Sequence, residues 1–535
     1  MHPGVFAAED PDRPAVIMGG AGTVVTYAEL EARSNQVAWL ARHCGLRPGD
    51  GLAAILENRP EMFDLAWGAQ RSGLYFTAVN WHLTAAEAAY VVADSGARMV
   101  VVSSRLAGLA AGLGPGLPAG VRRLMIGGTI PGWDSYEEAV RALPPTPVPD
   151  ECEGDVMLYS SGTTGRPKGI KRPVSGVPFG QHPDIPGHWL RELLGLAEGD
   201  VYLSPAPLYH AAPLAWTMSS HRTGATVVVM ERFDAEEALR LIARHRVTHS
   251  QWVPTMFVRL LKLPRQTRGA YDLGSLRWAV HAAAPCPVPV KQAMIDWWGP
   301  ILFEFYSMTE GFGAASIFSE DWLRKPGSVG RPLMGIPHIL GAGGAELPPG
   351  ETGTIWFEGG TPSEYHGDPA KTFAAANERG WRTVGDVGYV DADGYLYLTD
   401  RASNLIISGG VNIYPQEIEN VLTMHPEVAD VAVLGVPHPD LGEQVKAVIQ
   451  VEARPAAASP GEAADPGQET ADPEESARAL ADRLAAYCRE HLAGFKIPRS
   501  FEFTAEELRT PVGKIRRGPL RERFGADPGP YHQHR

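Results

Sequence analysis

Residues 159–169 read Tyr-Ser-Ser-Gly-Thr-Thr-Gly-Arg-Pro-Lys-Gly, directly after the apolar run Val156-Met-Leu158. The apolar run is typical of the end of a buried strand. The segment that follows combines hydroxyl side chains, glycines and Lys168, so that backbone N–H groups, hydroxyls and one ammonium can surround phosphate oxygens. The stretch therefore predicts a polyphosphate-binding loop. The candidate ligands are Ser160, Ser161, Gly162, Thr163, Thr164, Gly165 and Lys168.

This loop is not a Walker A motif. That motif would need Gly at 167 and Ser or Thr at 169, where this chain has Pro167 and Gly169. By composition alone, a run of Gly, Ser and Thr more often forms an ordinary turn. The rest of the chain must therefore decide between a turn and a ligand site.

Segments typical of helices and strands alternate on both sides of the loop. Thr26 precedes a run with helical apolar spacing and is a candidate helix cap. Such alternation favours parallel sheets covered by helices, the α/β class, for a large domain over residues 1–400. The predicted helices are 26–44, 85–95 and 235–245, and the predicted strands are 52–56, 99–102, 226–230 and 247–252.

The pattern changes after Asp400 and indicates a smaller α+β domain, residues 404–535. Residues 453–475 within it are rich in Ala, Pro, Gly, Glu and Asp, which favours a mobile acidic loop because few of these side chains can be buried. The predicted strands of this domain are 428–436 and 444–451, and the predicted helices are 415–423 and 477–491.

Length and composition exclude several classes of protein. A chain of 535 residues is too long for one core and predicts at least two domains. A net charge of −14 gives no electrostatic basis for binding nucleic acid or an anionic membrane. The four cysteines lack a C-x-x-C pair, so neither a structural zinc nor a disulfide framework is expected. The start shows no signal peptide and no segment predicts a membrane span, which together favour a cytoplasmic protein.

Further motifs occur in a recognisable order along the chain. They are Tyr306-Ser-Met-Thr-Glu310, Gly380-Trp-Arg-Thr-Val-Gly-Asp-Val-Gly388, Asp400-Arg401, Ser408-Gly-Gly-Val-Asn-Ile-Tyr-Pro-Gln-Glu-Ile-Glu419 and Pro511-Val-Gly-Lys-Ile-Arg516. Together with the phosphate loop they resemble the adenylate-forming superfamily, which comprises acyl-CoA synthetases, peptide-synthetase adenylation domains and luciferases. The run 279–287 resembles acyl-CoA synthetases acting on fatty, bile-acid, steroid or terpenoid acids. The resemblance spans nearly the whole chain.

The resemblance implies a role for each motif residue. Lys514 is the expected catalytic lysine, Thr309 the donor to the α-phosphate, and Glu310 the carboxylate for Mg²⁺. Tyr306 is expected to pack on adenine, and Asp386 and Arg401 to bind the ribose or a phosphate. Residues 401–403 form the expected hinge, with Ser403 where many relatives have Asp or Lys. Gly409 and Gly410 are expected to line a tunnel for the pantetheine of CoA as the small domain alternates between two poses.

The acyl pocket is less well defined by the sequence. His210 is expected at the pocket or its gate and is also a candidate catalytic residue, although a lone His is usually structural. Trp252 is another candidate, although core packing explains a Trp beside a strand equally well. Ala282, Ala283 and Ala284 leave room for a bulky apolar acyl group.

One departure from the family pattern lies in the Tyr306–Glu310 motif. Relatives usually carry glycine where this chain has Ser307 and Met308. Glycine matters where backbone must approach a ligand closely. The pair either reshapes the acyl pocket or handicaps adenylation while sparing the use of a ready-made adenylate.

The resemblance thus implies an AMP-forming acyl-CoA synthetase that uses ATP, Mg²⁺ and CoA and converts a bulky apolar acid through its acyl-adenylate to a thioester. Two alternatives stay open. The chain could thioesterify a supplied acyl-adenylate with weak or absent adenylation, or it could load an acyl carrier protein. The expected partners are therefore a small carboxylic acid and CoA, and a homodimer is compatible with the sequence.

Overall fold

The computed structural model describes residues 1–160, 167–361, 363–451, 473–510 and 513–525. The chain separates into two compact units. The first comprises residues 1–286, 290–336 and 357–382, and the second comprises 287–289, 337–356 and 383–535. Parallel strands alternate with helices in the first unit, which confirms the predicted α/β class with a large N-terminal part and a smaller C-terminal one. The predicted hinge at 401–403 stays a prediction.

One sheet of the first unit carries the strand that leads to Glu310. Its central strands are parallel and fully buried, as expected for Val-rich strands covered on both faces. The strand Leu302–Ser307 then pairs antiparallel with Ala314–Phe318. In spatial order the strands are Val24–Thr26, Pro14–Met18, Thr226–Val229, Val201–Ser204, His249–Trp252, Trp278–His281, Leu302–Ser307, Ala314–Phe318 and Ser328–Met334.

The first unit also contains a parallel sheet of six strands. Its core is apolar, with Leu52, Val100 and Val101 fully buried. In spatial order the strands are Asp134–Ser135, Arg122–Ile126, Ala97–Ser103, Gly51–Ile55, Tyr75–Ala78 and Asp155–Val156. A small antiparallel sheet of three strands has the spatial order Glu364–Tyr365, Lys168–Lys171 and Leu158–Ser160.

Several helices of the first unit begin at a side-chain cap. The Thr26 hydroxyl oxygen accepts a hydrogen bond from the Glu29 N–H, and the Glu29 carboxylate accepts one from the Thr26 N–H. This capping box starts the helix Tyr27–His43. This confirms the predicted cap. The helices are Pro3–Glu9, Tyr27–His43, Glu61–Arg71, Ala85–Asp94, Ala107–Leu113, Tyr136–Arg141, Ile185–His188, Ala211–His221, Ala235–His245, Pro254–Lys262, Arg265–Arg268, Ser319–Arg324 and Pro369–Ala374.

Five short helical turns also occur in the described part of the chain. They are Ser104–Leu106, Gly114–Gly116, Trp189–Leu193, Ala402–Asn404 and Gly494–Lys496. Three elements straddle the division between the units. They are Val288–Trp298, Ile336–Leu340 and Gly353–Glu358.

The second unit contains a sheet of five strands that covers a core of aliphatic side chains. The long strands Val428–His438 and Gly442–Val451 pair antiparallel along their length. A separate pair, Asp386–Val390 with Leu396–Arg401, is also antiparallel. The other strands are Ile406–Ser408, Val411–Ile413 and Ser500–Thr504, and the helices are Pro415–Leu422, Pro473–His491 and Arg517–Phe524.

One predicted boundary needs correction. The acidic loop was predicted to end at residue 475, but the helix after it begins at Pro473. Pro is favoured at the first position of a helix, where its missing N–H costs nothing, so Pro473 marks the start of the helix rather than part of the loop. The remainder of the predicted loop, 453–472, lies outside the described residues.

Two other predictions can be compared with the structure. No helix of the described chain is long and apolar enough to cross a membrane. Cys44, Cys152, Cys286 and Cys488 are free thiols.

Candidate active site

The returning strand of the phosphate loop is held between two neighbours. Lys168 pairs with Ser160 on one side, and Ile170 pairs with Tyr365 on the other. The strand Lys168–Lys171 therefore joins the loop to a segment of chain almost 200 residues later. Five predicted phosphate ligands, Ser161, Gly162, Thr163, Thr164 and Gly165, lie outside the described residues, and Ser160 is described by its backbone alone.

Lys168 forms an ion pair with Asp368, with 2.8 Å between Nζ and Oδ2. The side chains are 23% and 36% exposed, so solvent reaches the pair. Asp368 also caps the helix Pro369–Ala374 by accepting the Lys371 N–H at 2.9 Å. The bond from Lys168 and the bond from the Lys371 N–H lower the pKa of the Asp368 carboxyl. Asp368 is therefore an anion fixed beside the loop lysine.

Glu310 lies at the end of the strand Leu302–Ser307, in a turn that the Gly311 N–H closes on the Met308 carbonyl. Gly311 has φ +70°, a left-handed conformation suited to glycine. The Glu310 side chain is only 9% exposed. Its Oε1 accepts a 2.8 Å hydrogen bond from the hydroxyl of Tyr365. A neutral donor thus orients this carboxylate without cancelling its charge.

Lys371 interacts both with the Lys168–Asp368 ion pair and with the hydrogen-bonded Tyr365–Glu310 pair. Its ammonium lies 4.0 Å from the centroid of the Tyr365 ring, a cation–π contact. Burial lowers the pKa of the Lys371 ammonium, and the charge of nearby Lys168 lowers it further. One series of contacts therefore links Glu310, Tyr365, Lys371, Asp368 and Lys168, and anions alternate with cations along it. We call these five residues the charge cluster. Sequence reasoning identified Lys168 and Glu310 and missed the other three residues.

The other residues of the Tyr306–Glu310 motif directly precede Glu310 in the chain. The Tyr306 ring is half-buried, with its centroid 6.3 Å from that of Phe357. Thr309 lies in the same turn as Glu310. Ser307 donates its hydroxyl to the Gly313 carbonyl at 3.1 Å, and Met308 is half-buried.

The predicted acyl-pocket residues occupy two other segments of the first unit. His210 is the residue before the helix Ala211–His221, and its ring centroid lies 4.3 Å from that of Tyr209. The Ala282 N–H donates to the Trp252 carbonyl, which joins these two candidates through their backbones. Their roles in acyl binding stay predictions.

Trp252 and the alanines differ in their exposure. The Trp252 side chain is fully buried, its indole N–H donates to the Ser250 hydroxyl, and its ring packs on Trp298. These are core contacts. Ala282 is buried, Ala284 is half-buried, and Ala283 is exposed with φ +77°, an unusual conformation for a residue other than glycine.

The second unit positions the predicted ribose ligands. Asp386 and Arg401 are cross-strand partners, and the Arg401 Nε lies 3.0 Å from the Asp386 carboxylate. Asp386 is 8% exposed, and the Arg401 side chain is 45% exposed. An arginine guanidinium therefore pairs directly with this carboxylate. Ser403 lies in the turn Ala402–Asn404, and the Ala402 N–H donates to the Gly385 carbonyl.

Gly409 and Gly410 form the tight turn of a hairpin between Ile406–Ser408 and Val411–Ile413. Their φ angles are +56° and +80°, as a two-residue hairpin turn with both central residues left-handed requires. A Cβ added at Gly410 would meet no atom within 4 Å. The backbone conformation thus demands glycine here, apart from any tunnel.

A cavity of about 320 Å³ lies beside this hairpin within the second unit. Its lining includes Ser408, Arg489 and Arg499, together with Phe495, which is 54% exposed. Two guanidinium groups and an exposed ring suit an anionic ligand that carries an aromatic base. Sequence reasoning did not identify this cavity.

Lys514 is exposed and lies at a turn of the second unit. Its N–H donates to the Thr510 hydroxyl, and the Thr510 N–H donates to the Lys514 carbonyl. Gly513 has φ +78° in this turn. Arg509 holds the turn to the sheet by an ion pair with Asp430 at 2.8 Å.

Comparison with known proteins identifies two matching family models. One, described as AMP-binding enzyme, matches residues 5–363, and the other, described as AMP-binding enzyme C-terminal domain, matches residues 417–514. A feruloyl-CoA synthase of Amycolatopsis sp is 34% identical over 529 residues, which cover 97% of each chain. The fatty acid–[acyl-carrier-protein] ligase ScoC of Streptomyces coeruleorubidus is 31% identical, with 97% of this chain and 95% of ScoC covered.

A solved structure is also similar to this chain over almost its whole length. The o-succinylbenzoate CoA synthetase (MenE) of Bacillus subtilis, in complex with its acyl-adenylate intermediate, matches with a TM-score of 0.77. It is 28% identical, and 97% of each chain is covered.

Proposed function

From the premise that this chain belongs to the AMP-binding enzyme family and is an AMP-forming acyl-CoA synthetase, we propose that it activates a bulky apolar carboxylic acid and transfers the acyl group to CoA. The observation that supports this best is the charge cluster, in which Lys168 pairs with Asp368 and the Glu310 carboxylate accepts a hydrogen bond from Tyr365. ATP and CoA are the substrates beside the acid.

In the first half-reaction an oxygen of the substrate carboxylate attacks the α-phosphorus, and pyrophosphate leaves. The main obstacle is repulsion between the carboxylate and the triphosphate, so fixed cations and donors supply most of the catalysis. We assign Lys168 and Lys514 to this task, with Thr309 as a donor to the α-phosphate. Tyr306 then packs on adenine, while Asp386 and Arg401 bind the ribose.

Mg²⁺ is part of this proposal. It usually binds one or two carboxylates and completes its shell with water and substrate phosphates. No group of three or more His, Cys, Asp or Glu side chains suited to a metal occurs among the described residues. Glu310, oriented by Tyr365, fits a site in which Mg²⁺ binds one or two carboxylates. When bound, the ion would neutralise phosphate charge.

In the second half-reaction the thiol sulfur attacks the acyl carbon, and AMP leaves with the bonding electrons. We assign Gly409 and Gly410 to the path of the pantetheine arm. The cavity lined by Arg489 and Arg499 supports CoA as the acceptor, because CoA ends in a phosphorylated nucleotide that these groups would bind.

An acyl carrier protein is the second candidate acceptor, and the similarity to ScoC favours it. The two acceptors share the pantetheine arm but differ in the nucleotide. The cavity has a role with CoA that it would not have with a carrier protein.

The function is tested by measuring pyrophosphate release and thioester formation separately on a panel of carboxylic acids. We expect acid-dependent pyrophosphate release and CoA-thioester with a bulky apolar acid. Acylation of a carrier protein but not of CoA would contradict the acceptor. Thioester formed only from a supplied acyl-adenylate would contradict the adenylation step.

We also propose a cytoplasmic homodimer. The free cysteines are in keeping with a reducing compartment. Light scattering on the purified protein measures the oligomeric state, and a monomer would contradict this part.

A further inference from the structure

The lysine of the phosphate loop already has an anionic partner within the protein. Lys168 lies 2.8 Å from the Asp368 carboxylate. Any polyphosphate that uses the Lys168 ammonium must compete with that carboxylate. We propose that Asp368 is a positioning residue that holds Lys168 and weakens the site for pyrophosphate, so that pyrophosphate leaves after adenylation. This inference rests on the proposed function for its place in the reaction.

Asp368 is fixed in this position by backbone structure on both sides. The preceding strand Glu364–Tyr365 pairs with the returning strand of the phosphate loop, and the His366 N–H donates to the Gly169 carbonyl at 2.9 Å. After Asp368 the helix Pro369–Ala374 begins, capped by its other carboxylate oxygen. The carboxylate therefore cannot swing away freely, and the ion pair follows from the fold.

The charges around Lys168 explain the expected direction. The charge cluster contains two cations, Lys168 and Lys371, and two anions, Glu310 and Asp368, so its formal charges cancel. The Asp368 carboxylate already pairs with the Lys168 ammonium, so it offsets part of the attraction between that ammonium and a polyphosphate. The weaker attraction favours dissociation of the polyphosphate. Removing the Asp368 charge should therefore tighten binding of both ATP and pyrophosphate.

The change Asp368→Asn separates charge from structure. Asn caps helices about as well as Asp, so the cap on the Lys371 N–H is retained while the charge is lost. Asp234→Asn is a matched control, because Asp234 caps the helix Ala235–His245 by accepting the Glu237 N–H at 2.8 Å. It tests the same substitution at a cap outside the charge cluster.

Binding of inorganic pyrophosphate and of ATP with Mg²⁺, measured by calorimetry without the acid, tests the proposal. We expect Asp368→Asn to lower both dissociation constants by roughly threefold to fivefold, the range of a solvent-accessible ion pair. Inhibition of thioester synthesis by added pyrophosphate should strengthen by a similar factor. Asp234→Asn should leave these values unchanged, and the difference should shrink at high ionic strength, which screens exposed charges.

A double-mutant cycle with Lys168→Gln shows whether Asp368 acts on polyphosphate binding through Lys168. If Asp368 acts through Lys168, Asp368→Asn should have a smaller effect in the Lys168→Gln background. Weaker or unchanged pyrophosphate binding in Asp368→Asn would overturn the proposal, as would an undiminished effect in the double variant. Calorimetry measures binding without turnover. An enzyme that binds ATP but activates no acid would contradict the proposed function, and the effect of Asp368→Asn on binding could still be measured.

Discussion

The two units present their candidate catalytic groups in different ways. In the first unit Lys168 and Glu310 are held by side chains, through the Asp368 carboxylate and the Tyr365 hydroxyl. In the second unit Lys514 and the Gly409–Gly410 pair occupy backbone turns that contain left-handed glycines. Side-chain contacts therefore fix Lys168 and Glu310, whereas left-handed glycines shape the turns that carry Lys514 and the Gly409–Gly410 pair.

This difference predicts which substitutions each region tolerates. In the first unit, removing a side-chain partner should displace the candidate group that it holds. In the second unit, replacing a left-handed glycine should also disturb the site, because a residue other than glycine at these angles costs about 1–3 kcal/mol.

The largest effect is expected for Lys514→Ala. It removes the cation assigned to the point where carboxylate and α-phosphate meet, and loss of one such group typically costs about 100- to 1,000-fold in rate. Pyrophosphate release should fall by that factor, while thioester formation from a supplied acyl-adenylate should stay within about threefold. Equal loss in both half-reactions would contradict the assignment. Gly513→Ala keeps the ammonium but strains the turn, and it should lower adenylation by less.

A smaller loss, confined to the thioester step, is expected for Gly410→Leu. A branched side chain should obstruct the pantetheine arm, and misplacement by 1 Å can cost about 100-fold. Gly410→Ala is the control, because its methyl group would meet no atom within 4 Å and it carries the same backbone strain. We expect Gly410→Ala to keep most of its thioester activity. If the two variants lose activity equally, strain is the cause and the tunnel assignment is wrong.

Tyr365→Phe should reduce adenylation by about tenfold, since hydrogen bonds to charged groups contribute about 1.5–3 kcal/mol. It removes the 2.8 Å bond to Glu310 and keeps the ring under Lys371. The Mg²⁺ concentration for half-maximal pyrophosphate release should rise. Tyr27→Phe is a matched control, because that buried hydroxyl donates to the Ala225 carbonyl in the core. A normal Mg²⁺ response in Tyr365→Phe would show that Glu310 needs no such orientation.

Local patterns in the sequence predicted much of the fold. The helix Tyr27–His43 was identified because its apolar spacing and its Thr26 cap lie within one segment. The strand Val428–His438 was identified as a buried apolar run, although its end was placed two residues too early. Such elements are specified by residues close together in the chain.

The charge cluster could not be found in this way. Asp368 next to Pro369 is a recognisable helix start, so its cap could have been predicted. Its ion pair joins residues 200 positions apart, and the Tyr365–Glu310 bond joins residues 55 apart. These contacts depend on which strands pair, and no short pattern specifies that pairing. The phosphate loop can be predicted from the sequence because its residues are consecutive.

The smallest effect is expected for the double change Ser307→Gly and Met308→Gly. The sequence left two roles open for this pair, a reshaped acyl pocket or a handicap to adenylation. In the structure the Ser307 hydroxyl donates to the Gly313 carbonyl within the hairpin, a bond that the variant loses. Met308 is flexible and can pack against an acyl group without displacing the nucleotide. We therefore expect pyrophosphate release and thioester formation to change together, each by less than about threefold with the same acid. A selective rise in ATP-dependent pyrophosphate release would show instead that these two side chains restrain adenylation, and would make this turn a place in the first unit where shape rather than charge limits the reaction.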